Sequence, residues 1–495
     1  MSTTRFDHDL RRREMLKLTV GGCLAAMGAP YLMGEEEEQP KSSNTKPLNL
    51  VVLFIDDLGW RDLGCYGSSF YETPNIDRLA QRGVRFTNAY SASPACSPSR
   101  AALLTGKHPA RLGLTGVLRV DQYAPKNSRV VPPKTIPTLP AGEVTIAEAL
   151  KRHGYTCASI GKWHLGAKGS TPLDHGFDIN IGGTVAGMTK SYFAPYGIGT
   201  IRGGPKGEYL TDRLTLEAEG FIDRNRDTPF LLYLSHYAVH TPLQAKPELV
   251  KKYADKAKGL PMGKKAPRGV RARQVQNDPV FAAMVQSVDE SVGRIVAKLK
   301  RTGTLDRTVI VFASDNGCLT SIRGKPTSVL PLREGKGFLY EGGIRVPLII
   351  AGPGIVDPGR ACTVPTTTED LFPTFLEMAG HPPMPKQHLD GTSLAPVFRG
   401  AAGVEREAIY WHYPHFVRGA PRKLAPPGGA MRQGAWKLME FFENGRLELY
   451  NLDTDIGETQ DLAGREPARA KAMHARLRAW RQAVGARMPI CRDKK

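Results

Sequence analysis

The sequence predicts an α/β fold: a large, mostly parallel sheet sandwiched by helices, with a smaller C-terminal α+β domain containing an antiparallel sheet. Three observations predict it. Four short, largely apolar runs recur along the chain, the pattern of strands buried on both faces. Helical patterns with start and stop residues fall between them. Toward the C-terminus the pattern changes to a hairpin. A chain of 495 residues, 41% of them hydrophobic, is long enough for a large core and a second domain.

Taken in order, residues 1–34 read as an export signal and 35–46 as a polar linker. Arg12-Arg13-Glu14-Met15-Leu16-Lys17 resembles a twin-arginine motif. The apolar stretch behind it, 18–33, is short and weakly apolar for a membrane span. An exported protein is expected, periplasmic, cell-surface or secreted; the competing reading is a disordered tail. Cys23 completes a partial lipoprotein-like site that lies too early in the stretch to favour lipidation. No later run is long enough to span a membrane.

The first strand, 48–55, ends in Asp56-Asp57-Leu58-Gly59. Thr73-Pro74 starts a helix that Gly83 closes. Ser97-Pro98-Ser99 followed by Arg100-Ala101-Ala102-Leu103 reads as another helix start. Cys96 would then sit just before an N-terminus, where free N–H groups favour an anion, and Arg100 adds a fixed positive charge. Residues 125–140 hold five prolines and read as a surface loop. Thr145 and Glu148 form a capping box for a helix ending at Gly154. The second strand, 155–160, ends in Gly161-Lys162-Trp163-His164. The third, 229–234, leads into Ser235, His236 and His240. A long amphipathic helix spans 281–301 and Gly303 closes it. The fourth strand, 308–313, ends in Ser314-Asp315-Asn316-Gly317. The domain boundary is placed at 385/386, giving domains 47–385 and 386–495. A hairpin over 436–440 and 446–451 turns at Glu443-Asn444-Gly445.

In an open parallel sheet the C-terminal strand ends share one edge, and ligands bind there. Any one of these endings could be an ordinary turn or helix cap. Four together, carrying Asp56, Asp57, Lys162, His164, His240, Asp315 and Asn316, make a site. Asp56, Asp57, Asp315 and Asn316 offer only oxygen donors. That set suits calcium, with magnesium second, and not zinc.

The string Cys96-Ser97-Pro98-Ser99-Arg100, with Thr105-Gly106 behind it, resembles the signature of the type I sulfatases, arylsulfatase-like enzymes of the alkaline-phosphatase-like superfamily. The resemblance extends over about residues 47–465. It includes Gly161-Lys162-Trp163-His164-Leu165-Gly166, His240 before Thr241-Pro242, and Lys336 ahead of Glu341-Gly342-Gly343-Ile344-Arg345-Val346-Pro347. Met431 to Leu438, Leu449 to Leu452 and Gly457 to Leu462 follow in the family order. It implies that a formylglycine-generating maturation enzyme oxidises Cys96 to formylglycine. It also implies that Asp56, Asp57, Asp315, Asn316 and the residue at 96 hold calcium. The aldehyde hydrate would attack sulfur and form a covalent sulfate ester. Arg100, Lys162 and Lys336 would neutralise oxygen charge, and Asp315 could take the attacking hydroxyl's proton. His240, assisted by Lys336, is the candidate acid for the leaving alcohol. His164 is the candidate base that expels sulfate from the second hydroxyl. Either histidine could instead only bind sulfate.

The expected reaction is release of inorganic sulfate from a sulfated small molecule or polysaccharide. The alternative is a phosphonate or phosphate diester hydrolase of the same superfamily, and a second is a basic protein that binds sulfated glycans without cleaving them. The net charge is +20, and residues 251–276 carry nine Lys or Arg against Asp255 alone. This segment could attract a polyanion or be a solvated loop. No nucleic-acid motif accompanies it. The seven cysteines show no C-x-x-C pairing, so no zinc site or disulfide framework is indicated. His412 and His415 have structural roles as their first reading, with a reach into sugar subsites as the second.

Overall fold

Strand β1 (Asn49–Ile55) is buried along its whole length, and its side chains divide between two cores. Val51, Leu53 and Ile55 enter one apolar cluster, Leu50, Val52 and Phe54 the other. That alternation is the period of a strand covered on both faces. The computed structural model describes residues 47–119, 123–260, 272–322, 325–417 and 427–492. The export signal, the linker and, within the basic segment, Lys264, Lys265, Arg268 and Arg271 lie outside them.

The large sheet comprises β1, β2 (Gly83–Phe86), β3 (Thr156–Gly161), β4 (Ile179–Ile181), β5 (Phe230–Ser235), β6 (Thr308–Ser314), β7 (Leu348–Ala351) and β8 (Ala361–Cys362). Their order is β8-β2-β7-β6-β1-β5-β3-β4. Only β7 runs antiparallel to its neighbours. The four strands expected from sequence are adjacent and parallel, with Leu53 between Leu234 and Phe312. Their C-terminal ends therefore share one edge.

Helices α1 (Pro74–Gln81), α4 (Leu210–Arg224) and α5 (Pro279–Arg301) cover one face. Helices α2 (Cys96–Thr105), α3 (Ile146–Lys151) and α6 (Leu371–Met378) cover the other. The Thr145–Glu148 capping box forms as expected. Three local expectations are corrected. Cys96 is the first residue of α2 rather than the residue before it. Helix α5 begins at Pro279 because Asp278 caps it, its side chain accepting from the amides of Val280 and Phe281. Gly83 does not close α1 but opens β2. It faces Ile350 so closely that a Cβ there would lie 2.2 Å from the Ile350 carbonyl oxygen, so the glycine answers a close strand pairing.

A second sheet of β9 (Ile409–Tyr413), β10 (Gly428–Gln433), β11 (Trp436–Phe441) and β12 (Arg446–Asn451) is antiparallel in that order. The expected hairpin is β11–β12. Helix α7 (Pro467–Ala483) packs on one face through Met473 and Leu477. The other face packs Trp411, Met439 and Tyr450 against Tyr90, Phe338 and Ile344 of the larger part. Among the described residues no helix is long and apolar enough to cross a membrane.

Candidate active site

The shared edge brings the expected residues together in a buried charge cluster. Arg100 points from α2 into the strand ends. Its Nε and one terminal nitrogen donate to Asp315 Oδ2 at 3.0 and 2.7 Å, and the other terminal nitrogen donates to Ser235 Oγ at 2.5 Å. Lys162 Nζ donates to Asp56 Oδ2 at 2.5 Å. Lys336 Nζ donates to Asp57 Oδ1 and lies 3.8 Å from Cys96 Sγ. Asn316 Nδ2 donates to Asp57 Oδ1 at 2.7 Å, and Asp315 Oδ1 accepts from the Asp57 amide at 3.2 Å. Asp57 and His164 have positive φ, 61° and 59°. Left-handed backbone at non-glycine residues is strained and gathers at functional sites.

Three carboxylates face three cations here, so paired charges largely offset one another. Burial pushes Asp56 well above the usual carboxylate range against the pull of Lys162, and Asp315 and Asp57 push it further. Burial acts the same way on Asp57 and Asp315, but the first is held low by Lys336 and His240, the second by Arg100 and Lys162. The oxygens left over fit a cation. Asp56 Oδ1, Asp57 Oδ2 and Asn316 Oδ1 are buried and accept no hydrogen bond. Donor atoms of Asp56, Cys96 and Asp315 lie within 4.8 Å of one another, as do those of Asp56, Asp57 and His240. Buried oxygens without donors are costly unless a cation completes them.

The two histidines differ in what they can do. His164 Nε2 lies 3.3 Å from the Leu118 carbonyl oxygen and so must be the protonated nitrogen; its buried Nδ1 has no partner. Burial, with Lys162 and Arg100, holds His164 far below the usual histidine range. It is a neutral base with a free lone pair. His240 Nδ1 donates to the Thr241 carbonyl at 2.8 Å, which leaves Nε2 3.6 Å from Asp57 Oδ2. Burial pushes His240 down to about 3 although Asp57 opposes this. Its ring is therefore neutral until an anion arrives to favour the imidazolium.

A cavity of about 310 Å³ opens above the cluster. Cys96, His164, His240 and Lys336 line it, together with Leu118, Leu319, Ile322, Tyr413, His415 and Phe416. His415 thus reaches the cavity, whereas His412 is turned away, its Nε2 2.9 Å from the Arg487 carbonyl oxygen. Sequence reasoning missed Ser235, which completes the Arg100 fork, and Tyr192, whose hydroxyl donates to the carbonyls of Tyr237 and His240. Ser235 stood in the quoted strand ending and could have been found there. Tyr192 carried no signal.

A second buried charge network stands beside the site. Lys437 Nζ lies 2.9 Å from Glu341 Oε1 and 2.8 Å from Glu458 Oε1, with all three side chains fully buried. Glu341 Oε2 accepts from the Tyr90 hydroxyl at 2.8 Å, and the Glu341 amide donates to Glu458 Oε2 at 2.7 Å. Three stretches that sequence could only quote, around 341–347, 431–438 and 457–462, meet here.

A buried cluster of cations and carboxylates at a parallel-sheet edge, under an open cavity, defines an enzyme that acts on an anionic ester. Comparison with known proteins gives its family. Residues 48–381 match the sulfatase family model, and 335–483 match the model of the N-sulphoglucosamine sulphohydrolase C-terminal region. The chain belongs to the sulfatase family and is a sulfuric ester hydrolase. It is 33% identical to a sulfatase of Formosa agariphila, with 94% of each chain covered. It is 34% identical to the human N-acetylgalactosamine-6-sulfatase, covering 75% of this chain and 69% of that one. Among solved structures, Ps i-CgsB in complex with k-i-k-neocarrahexaose is similar at 30% identity and a TM-score of 0.71, with 88% and 93% covered. A phosphonate monoester hydrolase of Agrobacterium radiobacter, at 20% identity and a TM-score of 0.60 over 90% of this chain and 100% of that one, shares the fold.

Proposed function

We propose that this protein removes sulfate from a sulfated carbohydrate, using formylglycine at position 96 and a calcium ion. The observation that carries the reading is the set of unpartnered oxygens on Asp56, Asp57 and Asn316, buried beside Cys96 and Asp315. Those residues would hold the ion. When bound, calcium would supply a fixed positive charge for sulfate oxygens, and formylglycine a hydrated aldehyde as nucleophile.

The chain's own groups do the rest. Lys336, which Asp57 keeps protonated in spite of burial, stands 3.8 Å from the nucleophile's position and would neutralise charge growing on oxygen. Arg100 and Lys162 hold Asp315 and Asp56 in place and add positive potential under the anion. His164 Nδ1 would accept a proton from the nucleophile residue after the alcohol has left. His240 Nε2 would hand a proton to the leaving alcohol once the anion has raised its affinity for one.

The division into a catalytic part, 47–385, and a small part, 386–495, is proposed with this reading, since β9 to β12 fall wholly in the second. So is export by the twin-arginine-like segment, and maturation by a formylglycine-generating enzyme before use. The basic stretch 251–276 would draw a polyanionic chain by long-range attraction. The relatives that act on or bind carbohydrate favour a sugar substrate. The test is turnover by protein matured together with its generating enzyme. Sulfate release from sulfated sugars well above hydrolysis of a phosphate or phosphonate diester is expected. A preference for the diester would overturn the reading.

A further inference from the structure

The cavity lining combines two chemically different sets of residues. Cys96, Lys336, His164 and His240 form the anion-facing set. The rest of the lining is mostly apolar: Leu118, Leu319, Ile322 and Phe416 are buried, Met188 and Tyr123 stand 44% and 42% exposed, and the exposed Arg119 is its one further cation among the described residues. Into this lining the segment after β9 delivers His415, a polar side chain held in a fixed position. His415 Nε2 pairs with the Thr115 hydroxyl at 2.9 Å, and Nδ1 has no partner among the described residues. Tyr413 packs against the ring edge-on, 5.4 Å between centroids. Gly116 makes room for it, because a Cβ there would lie 3.0 Å from Nε2 and 3.2 Å from Cε1. Burial pushes His415 down to about 4. The ring is therefore neutral near pH 7 and offers a hydrogen bond without charge.

We propose that the small sheet contributes to the leaving-group part of the site, where His415 reads a hydroxyl of the sugar ring bearing the scissile sulfate. The inference rests on the sulfatase reading above. A neutral imidazole nitrogen in a mostly apolar lining favours a ligand that supplies a hydrogen bond over one that covers it without doing so. A sugar ring meets both demands, with C–H groups for Phe416 and Ile322 and a hydroxyl for the nitrogen. A plain aryl ring meets only the first.

The experiment measures kcat/KM of the mature enzyme on p-nitrophenyl sulfate and on monosulfated galactose and N-acetylglucosamine. His415→Phe keeps a ring and removes both nitrogens. It should lower kcat/KM on the best sugar at least about tenfold more than on p-nitrophenyl sulfate, as loss of a designed hydrogen bond does. His415→Gln should restore part of that ratio. Gly116→Ala, which crowds the ring and leaves its nitrogens intact, should shift the ratio in the same direction and covers the case in which His415→Phe does not fold. Equal losses on both substrates, or an unchanged ratio in these variants, would overturn the proposal. So would a wild-type enzyme that releases sulfate from p-nitrophenyl sulfate and from none of the sugars. Wild-type protein that releases sulfate from no substrate would instead strike the sulfatase reading.

Discussion

Lys437 offers the sharpest test of the buried charge network beside the site. Its ammonium lies 2.9 Å from one carboxylate and 2.8 Å from another, and water reaches none of the three. Lys437→Met keeps most of the volume and removes the charge. Glu341 retains Arg345, 2.8 Å away, but Glu458 loses its cation. Stranding a buried charge costs about 3–5 kcal/mol, whereas replacing the whole pair by neutral groups is often close to neutral. The double variant Lys437→Met with Glu458→Gln should therefore recover most of the loss, because glutamine still accepts the Glu341 amide bond. A coupling of at least about 2 kcal/mol is expected between the two sites. Burial already pushes Glu458 up to about 7 despite Lys437. Without the lysine its folded pKa rises further above the unfolded value, so the stability of the single variant should fall as pH rises from 6 to 8. Urea unfolding followed by tryptophan fluorescence at both pH values measures this. If single and double variants lose equal stability at pH 8, the lysine matters for packing and the electrostatic argument fails. The loop that carries Lys336 is tied to the same network, since Arg333 donates to the Glu458 carbonyl oxygen at 2.8 Å and the Gly342 amide donates to the Arg333 carbonyl. The single variant should thus also lose sulfate release faster than it loses folded protein.

Cys96→Ala should abolish sulfate release while leaving the fold and calcium binding largely intact, because Asp56, Asp57, Asp315 and Asn316 remain to hold the ion; residual turnover above background would remove position 96 as the nucleophile. A mass spectrum of the peptide spanning Cys96 from active protein should show the thiol converted to the aldehyde. Exhaustive chelation should lower both activity and melting temperature, since a ligand bound only by the native state stabilises it; metal analysis that finds neither calcium nor magnesium would contradict the site. Glu369 is buried, and burial pushes it up to about 8. A carboxyl raised on folding makes stability fall as pH rises from its unfolded value near 4.5 through 8. Glu369→Gln, which mimics the protonated acid, should flatten that decline between pH 6 and 8; parallel pH profiles for variant and wild type would refute the shift.

Much of the catalytic edge was legible in the sequence, and the reason is specific. Residues 48–55, 155–160, 229–234 and 308–313 are largely apolar, too short for helices and bounded by turn residues, and that combination marks strands covered on both faces. Once they are parallel, Asp56, Lys162, Ser235 and Asp315 must share an edge whatever the loops do. Strand β7 was not legible: four residues after Pro347 carry too little pattern, and nothing marks them as antiparallel. The cavity wall was not legible either. Leu118, Ile322 and Phe416 come from separate loops, and their meeting is decided by packing across the second sheet rather than by any local period.

The stretches around Glu341, Lys437 and Glu458 show why strong charge perturbation alone does not mark an active site. Both clusters hold fully buried carboxylates beside lysines, and both shift pKa values. Perturbation of that kind comes from burial and partners and is shared by structural ion networks and catalytic centres. Open space separates them. Cys96, His164, His240 and Lys336 line the 310 Å³ cavity, and none of Glu341, Lys437 or Glu458 does. The second distinction lies in the unfilled valences. Beside Cys96 three oxygens and one histidine nitrogen face inward with no protein donor or acceptor. Glu341 spends one oxygen on Lys437 and the other on Tyr90 and Arg345, and although Glu458 Oε1 and Arg345 Nε make no well-aligned hydrogen bond, each has an opposite charge 2.8 Å away. A group whose bonding is used up within the protein can only hold shape. Groups left incomplete at or just behind the residues that line a cavity are the ones able to take a cation, an anion and a proton; His164 is in the lining, and Asp56, Asp57 and Asn316 lie behind Cys96, His240 and Lys336.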